Sequence, residues 1–182
     1  MLRAKLEQRS STVFQVIAVF LLLFGAVGCN TLPGPTWVDA FKRGDVAAGY
    51  QDMVEEHREI VKELGATPIR EDVGETCFDA LQEFYDYYWL KDILILRNSP
   101  IMELQPKSRW AMMIEGVIHV RKNAPLPLAH EIRHWQQQRT MGITFWPAYL
   151  GAHAMQGYEG NWMEMQARES QKAFNMQHPN VC

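Results

Sequence analysis

The segment 128–137, LAHEIRHWQQ, contains two histidines, His130 and His134, that are four residues apart. On an α-helix, side chains at this spacing lie one above the other on the same face, so both imidazoles face a single point. The apolar side chains of Ile132 and Trp135 indicate that the helix is buried against other parts of the domain. The chain must therefore fold so that a covered helix presents two converging imidazoles.

Two converging imidazoles are the arrangement that a zinc ion requires, since its bonds to histidine nitrogens are about 2.0–2.1 Å long. Glu131 is poorly placed as a third ligand, but it can take a proton from water on the metal and pass that proton to a leaving amine. Zinc lowers the pKa of that water toward about 7 and polarises a carbonyl group. The pattern H-E-x-x-H therefore predicts peptide-bond hydrolysis, with His130 and His134 as ligands and Glu131 as general base. The alternative is a surface helix with two solvated histidines and a capping glutamate.

A catalytic zinc site has three protein ligands, so a third ligand must lie elsewhere in the chain. The downstream candidates are Glu164, Glu159 and His153. Glu169 lies about 140° further round a helix than Glu164, so these two carboxylates cannot both face one ion. Glu164 also has a competing structural role, a capping box in which its carboxylate bonds back to the amide of an N-cap residue, Asn161.

The segment 158–167, YEGNWMEMQA, resembles the second motif of gluzincin-like bacterial zinc peptidases, N-x-x-E-x-x-A, with Asn161 and Glu164 at matching positions. Together with H-E-x-x-H, the resemblance extends over residues 110–171, about a third of the chain. It implies a zincin-like fold, zinc as the cofactor, a polypeptide substrate and Glu164 as the third ligand. By the same resemblance, the edge of a β-hairpin at 117–120 is expected to pair with an extended substrate.

Several side chains are candidates for supporting roles around the metal. The oxyanion that forms during hydrolysis needs hydrogen-bond donors. The candidate donors are His119, Tyr149, His153 and Tyr158. Histidine ligands usually donate their second N–H to an acceptor, and Gln136 and Gln137 are candidates for that role.

The N-terminus has the layout of an export signal. The basic residues of its first part are Arg3, Lys5 and Arg9. They precede an uncharged, largely apolar run at 13–27, which is shorter than the roughly 20 residues that span a membrane. The alternative is an uncleaved N-terminal anchor, and both interpretations place the rest of the chain outside the cytoplasm.

The apolar run ends in Ala-Val-Gly-Cys, and the small residues before Cys29 resemble the lipobox of bacterial lipoproteins. The resemblance implies that 1–28 is a signal peptide, that Cys29 carries acyl chains such as palmitate, and that 29–36 is a tether. Cleavage by the general signal peptidase is the alternative, because Ala26 stands where such boxes usually have leucine. The expected location is the bacterial cell envelope, with a lipid anchor in a membrane, on the periplasmic side or at the outer membrane.

Two further cysteines, Cys77 and Cys182, remain once Cys29 is assigned to the lipid. In an oxidising compartment they can pair and fix the C-terminal residues to the body of the domain. Alternatively, Cys77 is a buried apolar residue without a covalent partner.

Residues 37–182 are predicted to form one α+β domain, because about 150 residues fit one compact core. The predicted helices span 51–64, 75–90, 128–140, 148–155 and 161–177. A β-hairpin is predicted at 110–120 with Glu115 and Gly116 as its turn, and a glycine-bracketed loop at 157–160. The domain is thus expected to be mostly helical, with a small antiparallel hairpin or sheet packed against the helix that carries His130.

The charge of the chain excludes one class of partner. Its 18 basic and 21 acidic residues are interleaved and give a net charge of -3, so there is no basic stripe for nucleic acid. The leading hypothesis is a membrane-anchored zinc peptidase. The alternatives are a non-catalytic zincin-like lipoprotein with a structural metal, and an interaction module without metal.

Overall fold

The computed structural model describes residues 43–86 and 88–182. The predicted signal peptide at 1–28, the tether at 29–36 and the lipid-modified Cys29 lie outside the described residues. In the described ranges, the helices are α1 (Val46–Glu63), α2 (Ile69–Val73), α3 (Glu75–Tyr85), α4 (Leu128–Met141), α5 (Phe145–Gly160) and α6 (Trp162–Gln177), and the strands are β1 (Thr67–Pro68), β2 (Leu94–Arg97), β3 (Ala111–Ile114) and β4 (Val117–Val120). Short 3-10 helices span Tyr88–Asp92, Pro100–Leu104 and Gly142–Thr144. None of the helices in these ranges is long and apolar enough to cross a membrane.

The strands form one small mixed sheet in the order β1-β2-β4-β3. The antiparallel strands β3 and β4 form the predicted hairpin, and its turn residues Glu115 and Gly116 have φ angles of 45° and 79°. Two positive φ angles are what a tight hairpin turn requires, and glycine adopts such an angle without steric cost. β2 runs parallel to β4 and pairs with its other side. All four residues of β4 are consequently buried.

The prediction that 117–120 forms the open edge of the hairpin is wrong. These residues form β4, which is an interior strand because β2 and β3 pair with its two sides. The sheet order puts β1 and β3 at its two ends, so β3 is the strand of the hairpin that has no further strand beside it among the described residues.

Helix α4 lies between the sheet and α6, and it positions the residues of the H-E-x-x-H pattern. Its side chains Ala129 and Ile132 are fully buried in the main apolar cluster, which also contains Ile118 of β4 and Phe174 of α6. Burial of a side chain such as Ile132 contributes about 1.5–3 kcal/mol. The predicted α+β class is confirmed, with a mostly helical domain around a small sheet.

Three helices have bounds that differ from the predictions. α1 begins at Val46 rather than near residue 51, because Asp45 caps it by accepting the Ala48 N–H at 3.1 Å. α3 ends at Tyr85 rather than near residue 90, because Asp86 adopts a left-handed φ of 48°. α5 is longer than predicted and includes 157–160, so the predicted loop is the bent end of a helix with a kink at Gly157.

A disulfide joins Cys77 of α3 to Cys182, at a sequence separation of 105. A covalent link that closes a loop of this length stabilises the fold, by about 4–5 kcal/mol at most, because it restricts the unfolded chain. Phe78, next to Cys77, and Val181, next to Cys182, both belong to or contact the main apolar cluster. The disulfide therefore fixes the C-terminal residues, which follow α6, to the main apolar cluster.

A pair of buried histidines joins α1 to the sheet on the side away from the H-E-x-x-H pattern. The Nε2 atoms of His57 and His119 are 3.2 Å apart, and His119 Nδ1 is 2.8 Å from Ser99 Oγ. Burial lowers the pKa of His57 to about 4 and that of His119 to about 3, with smaller contributions from the charges of Arg58 and of the partner histidine. The pair is therefore neutral at physiological pH.

We expect this pair to make the fold less stable in acid. The unfolded chain takes up these protons below about pH 6.5, whereas the folded protein does so only near its lowered pKa values, so the stabilisation is complete above pH 6.5 and is lost as the pH falls. The expected loss is about 2–4 kcal/mol between pH 7.5 and pH 5. Denaturant unfolding of the metal-free protein at both pH values tests it. An equal loss in a variant with His57→Gln and His119→Gln would contradict the assignment.

Candidate metal centre

Three side chains from two helices converge on one point inside the domain. His130 and His134 project from α4, and Glu164 projects from the first turn of α6. The two Nε2 atoms are 3.1 Å apart, and Glu164 Oε2 is 3.3 Å from His130 Nε2 while Glu164 Oε1 is 3.4 Å from His134 Nε2. The side chains of Glu164 and His134 are only 4% and 8% exposed. This is a buried cluster of two imidazoles and one carboxylate.

The cluster fits the ligand geometry of a metal ion. Ligand atoms about 2.0–2.1 Å from a tetrahedral zinc ion lie about 3.4 Å from one another. The two imidazole nitrogens are 3.1 Å apart, and each lies 3.3 or 3.4 Å from one of the two Glu164 oxygens, so the separations are close to those of ligand atoms around one ion. The chain could therefore hold a metal ion with His130, His134 and Glu164.

Glu164 faces the histidines and does not form the capping box. Asn161 is the N-cap of α6, and its Oδ1 accepts the Met163 N–H at 3.0 Å. The N–H of Asn161 donates to the carbonyl of Gly157 at 3.1 Å rather than to Glu164. One asparagine thus caps the helix with its own side chain, which leaves the Glu164 carboxylate available to the cluster.

The other candidates for the third ligand do not join the cluster in the described residues. Glu159 is 87% exposed at the side chain and lies 3.4 Å from Arg168 Nη1. His153 stacks on Tyr149 with ring centroids 6.4 Å apart. The structure therefore brings together the three residues that the resemblance implied, and neither alternative.

Gln137 fixes the orientation of His134. The Gln137 Nε2 group donates to the carbonyl of Met163 and to Gln166 Oε1, each at 3.1 Å, so Gln137 Oε1 is the acceptor for His134 Nδ1 at 2.9 Å. A proton on Nδ1 leaves the Nε2 lone pair for a metal. Gln136, the other predicted acceptor, instead accepts from Arg133 Nη1 at 2.9 Å.

Glu131 lies beside the cluster, and one of its carboxylate oxygens makes no hydrogen bond to the described residues. The residue is 3% exposed, and its Oε2 has no hydrogen-bond partner among the described residues. Burial raises the pKa of Glu131, although the nearby His130 and His134 partly oppose this rise. A buried carboxylate oxygen that lies next to a metal site and is free of protein partners is placed to bind and hold a proton.

The electrostatics of Glu164 and Tyr149 are coupled. Burial would raise the pKa of Glu164, but hydrogen bonding to His130 and His134 holds it far below its usual range. Tyr149 donates its hydroxyl to Glu164 Oε1 at 2.5 Å. Burial and the charge of Glu164 raise the pKa of Tyr149 well above its usual value, so Tyr149 stays protonated. The cluster thus contains one carboxylate anion, Glu164, and a neutral phenol, Tyr149, that donates a hydrogen bond to that anion.

A cavity of about 280 Å³ opens onto the cluster. His130, Glu131, His134 and Glu164 form its polar end, and the whole of the edge strand β3 lies along its wall. Tyr149 and Tyr158 also line it, whereas His119 is paired with His57 in the interior. Of the four predicted oxyanion donors, the structure thus places these two tyrosines in the cavity.

Other lining residues were not predicted from the sequence. Trp146 and Met112 contribute apolar surface, and Arg109 and Arg168 contribute positive charge. Arg109 lies in the irregular segment before β3, and Arg168 lies four residues after Glu164 on α6. The sequence contains one signal for these residues: Arg168 follows Glu164 by four residues, about one helical turn, so both side chains lie on the same face of α6.

The chain was compared with protein-family models, with curated proteins and with solved structures. No family model, curated protein or solved structure matches it.

Proposed function

We propose that this protein is a zinc-dependent metallopeptidase in which His130, His134 and Glu164 hold the zinc ion and Glu131 is the general base. The main support for the proposal is the convergence of two Nε2 atoms and a carboxylate at separations of 3.1–3.4 Å, beside a buried Glu131 oxygen that has no hydrogen-bond partner among the described residues. The resemblance of both motifs to those of gluzincin-like peptidases supports the same assignment.

The chain's own residues supply the proton transfers. When bound, a zinc ion lowers the pKa of water toward about 7 and polarises the carbonyl group of the substrate. Glu131 accepts a proton from the attacking water at its carboxylate and returns it to the leaving amine. Tyr149 and Tyr158 are both protonated and can donate to the negative charge that develops on the carbonyl oxygen once their hydroxyls turn from Glu164 toward the substrate. Gln137 holds His134 in the tautomer that binds metal.

The proposed substrate is an extended polypeptide. β3 runs along the cavity, and its outer edge faces no other strand among the described residues. Its free backbone groups can pair with the backbone of a substrate and align it past Glu131. Met112 and Trp146 line the same cavity, so an apolar side chain of the substrate is expected to lie between them.

We further propose that the protein acts in the bacterial cell envelope, outside the cytoplasm, with a lipid anchor on Cys29. The basic, apolar and small-residue order of 1–28 supports this, and so does the disulfide between Cys77 and Cys182, since such bonds persist in oxidising compartments. The interleaved charges of the chain give no support to a nucleic-acid partner.

Hydrolysis by the zinc-loaded protein is expected to disappear on chelation and to return on readdition of zinc. The reason is that zinc provides both the activated water and the polarised carbonyl, which the protein residues alone do not replace. The measurement is the appearance of new peptide termini in a library of unstructured peptides. A protein that holds one zinc per chain and cleaves no member would contradict the proposal and favour the non-catalytic alternative.

A further inference from the structure

Two arginines flank the cavity on the side of Tyr158. The guanidinium carbons of Arg109 and Arg168 are each 5.7 Å from the centroid of the Tyr158 ring. Both arginines line the same cavity as Glu131 and Glu164. The two positive groups are therefore close to the proposed reacting centre, and the ring of Tyr158 lies against both.

Arg109 is held in place but has no ionic partner within the described ranges. Its Nη1 donates to Gln105 Oε1 at 3.2 Å and lies 3.9 Å from Met112 Sδ, both of which are neutral acceptors. Arg121 fixes the backbone beneath it, since the Arg121 guanidinium donates to the carbonyls of Arg109 and Gln105 at 3.0 and 2.9 Å. Arg109 thus faces the cavity without a salt bridge to any carboxylate of the described residues.

Arg168 is only partly neutralised. Its Nη2 donates to the carbonyl of Glu159 at 2.7 Å, and its Nη1 is 3.4 Å from the Glu159 carboxylate. That carboxylate is 87% exposed, so solvent screens most of its interaction. Arg168 Nη1 is itself buried and has no hydrogen-bond partner among the described residues.

The charges around the cavity do not cancel. Glu131 and Glu164 are the two carboxylates that line it, and a divalent ion held at the cluster, as proposed above, would balance their charges. Arg109 and Arg168 then leave the cavity positive. Guanidinium groups bind carboxylates through paired, charge-assisted hydrogen bonds, which is the interaction that an unpaired arginine in a cavity favours.

We infer that this cavity selects peptides that carry a carboxylate close to the scissile bond, and that Arg109 and Arg168 bind this carboxylate. The inference rests on the proposed function, because it names the substrate class of the same site. The carboxylate can be the free C-terminus of the peptide or the side chain of an acidic residue. The two sources share one chemistry and differ in whether the enzyme removes terminal residues or cleaves within a chain.

Binding of matched peptides to the zinc-loaded Glu131→Gln variant tests the inference without turnover. Two probes have the sequence acetyl-Ala-Ala-Phe-Ala, one with a free C-terminal carboxylate and one with a C-terminal amide. The other two are C-terminal amides in which Glu or Gln replaces the last alanine. We expect one of the two carboxylate peptides to bind roughly 10–100-fold more tightly than its neutral counterpart, as charged hydrogen bonds require. The pair that shows the preference identifies the source of the carboxylate.

Arginine variants in the same background assign the preference to residues. Arg109→Gln and, separately, Arg168→Gln should each remove much of it, whereas the amide peptide should bind as before. Arg70→Gln is the matched control, since Arg70 is exposed, pairs with the exposed Glu75 and does not line the cavity. Equal binding of charged and neutral peptides, or a preference that survives both cavity substitutions, would overturn the inference.

The inference and the proposed function can fail separately. A carboxylate preference in binding without hydrolysis by the wild-type protein would leave the inference standing and remove the peptidase. Hydrolysis of charged and neutral peptides at equal efficiency would leave the peptidase standing and remove the inference.

Discussion

Replacement of Glu131 by glutamine is expected to lower the rate of peptide hydrolysis by about 10²–10⁴-fold. Glutamine has nearly the same shape as glutamate but cannot accept a proton, so the attacking water keeps its proton and the leaving amine receives none. Because Glu131 is 3% exposed, bulk water has poor access to replace it as a base. The measurement is kcat/KM on a cleaved peptide, together with the zinc content of the same sample.

The zinc content of the Glu131→Gln protein should remain that of the wild type. Glu131 is not a member of the ligand cluster, which consists of His130, His134 and Glu164. Glu169→Gln is the matched control, since Glu169 is exposed on α6 and its loss should leave the rate unchanged. A Glu131→Gln enzyme that retains zinc and wild-type activity would remove Glu131 from the mechanism.

Replacement of Glu164 by alanine is expected to weaken zinc binding by at least about 100-fold. Loss of a residue that only supports a ligand costs about 10–100-fold in metal affinity, and Glu164 is a direct ligand in this account. The substitution removes one of three donor atoms and leaves His130 and His134 with more water to complete the coordination. Competition with a chromophoric chelator measures the dissociation constant.

Variants at the competing positions show whether the effect is specific. Glu159→Ala and His153→Ala should leave the dissociation constant unchanged, because neither residue belongs to the cluster. Glu169→Ala tests removal of a carboxylate from the same helix at an exposed position. If Glu159→Ala or His153→Ala releases zinc while Glu164→Ala retains it, the ligand assignment is wrong.

The sequence predicts the centre of this site well because its information is local. The positions of His130 and His134 on α4 follow from a four-residue spacing on an apolar helix. The hairpin of β3 and β4 follows from one turn, Glu115-Gly116, between two apolar segments. Each of these features depends on residues that are neighbours in the chain.

The features that the sequence did not predict depend on distant contacts. β2 is a strand of four residues, three of them apolar. An apolar segment this short fits a strand and part of a buried helix equally well. When β2 is not predicted, the sheet order is undetermined, so the sequence does not show that β3, and not β4, is the edge strand of the hairpin. Arg109 likewise reaches the cavity only through the loop that Arg121 fixes, which leaves no pattern in the local sequence.

Glu164 shows how a local pattern can support two roles. Asn161 and Glu164 match both a capping box and a ligand motif, so their spacing alone does not choose. The choice comes from the packing of α6 against α4, which brings the Glu164 carboxylate within 3.4 Å of His134 and leaves Asn161 to cap the helix.

X-ray absorption spectroscopy of the zinc-loaded protein, with the zinc content determined on the same sample, shows which atoms bind the metal. The account predicts one zinc per chain, two imidazole nitrogens at about 2.0–2.1 Å, and oxygen ligands in the remaining positions. In Glu164→Ala, we expect either loss of the zinc or an oxygen shell in which water replaces the carboxylate. No bound zinc, a sulfur ligand, or a spectrum unchanged by Glu164→Ala would contradict the site of His130, His134 and Glu164.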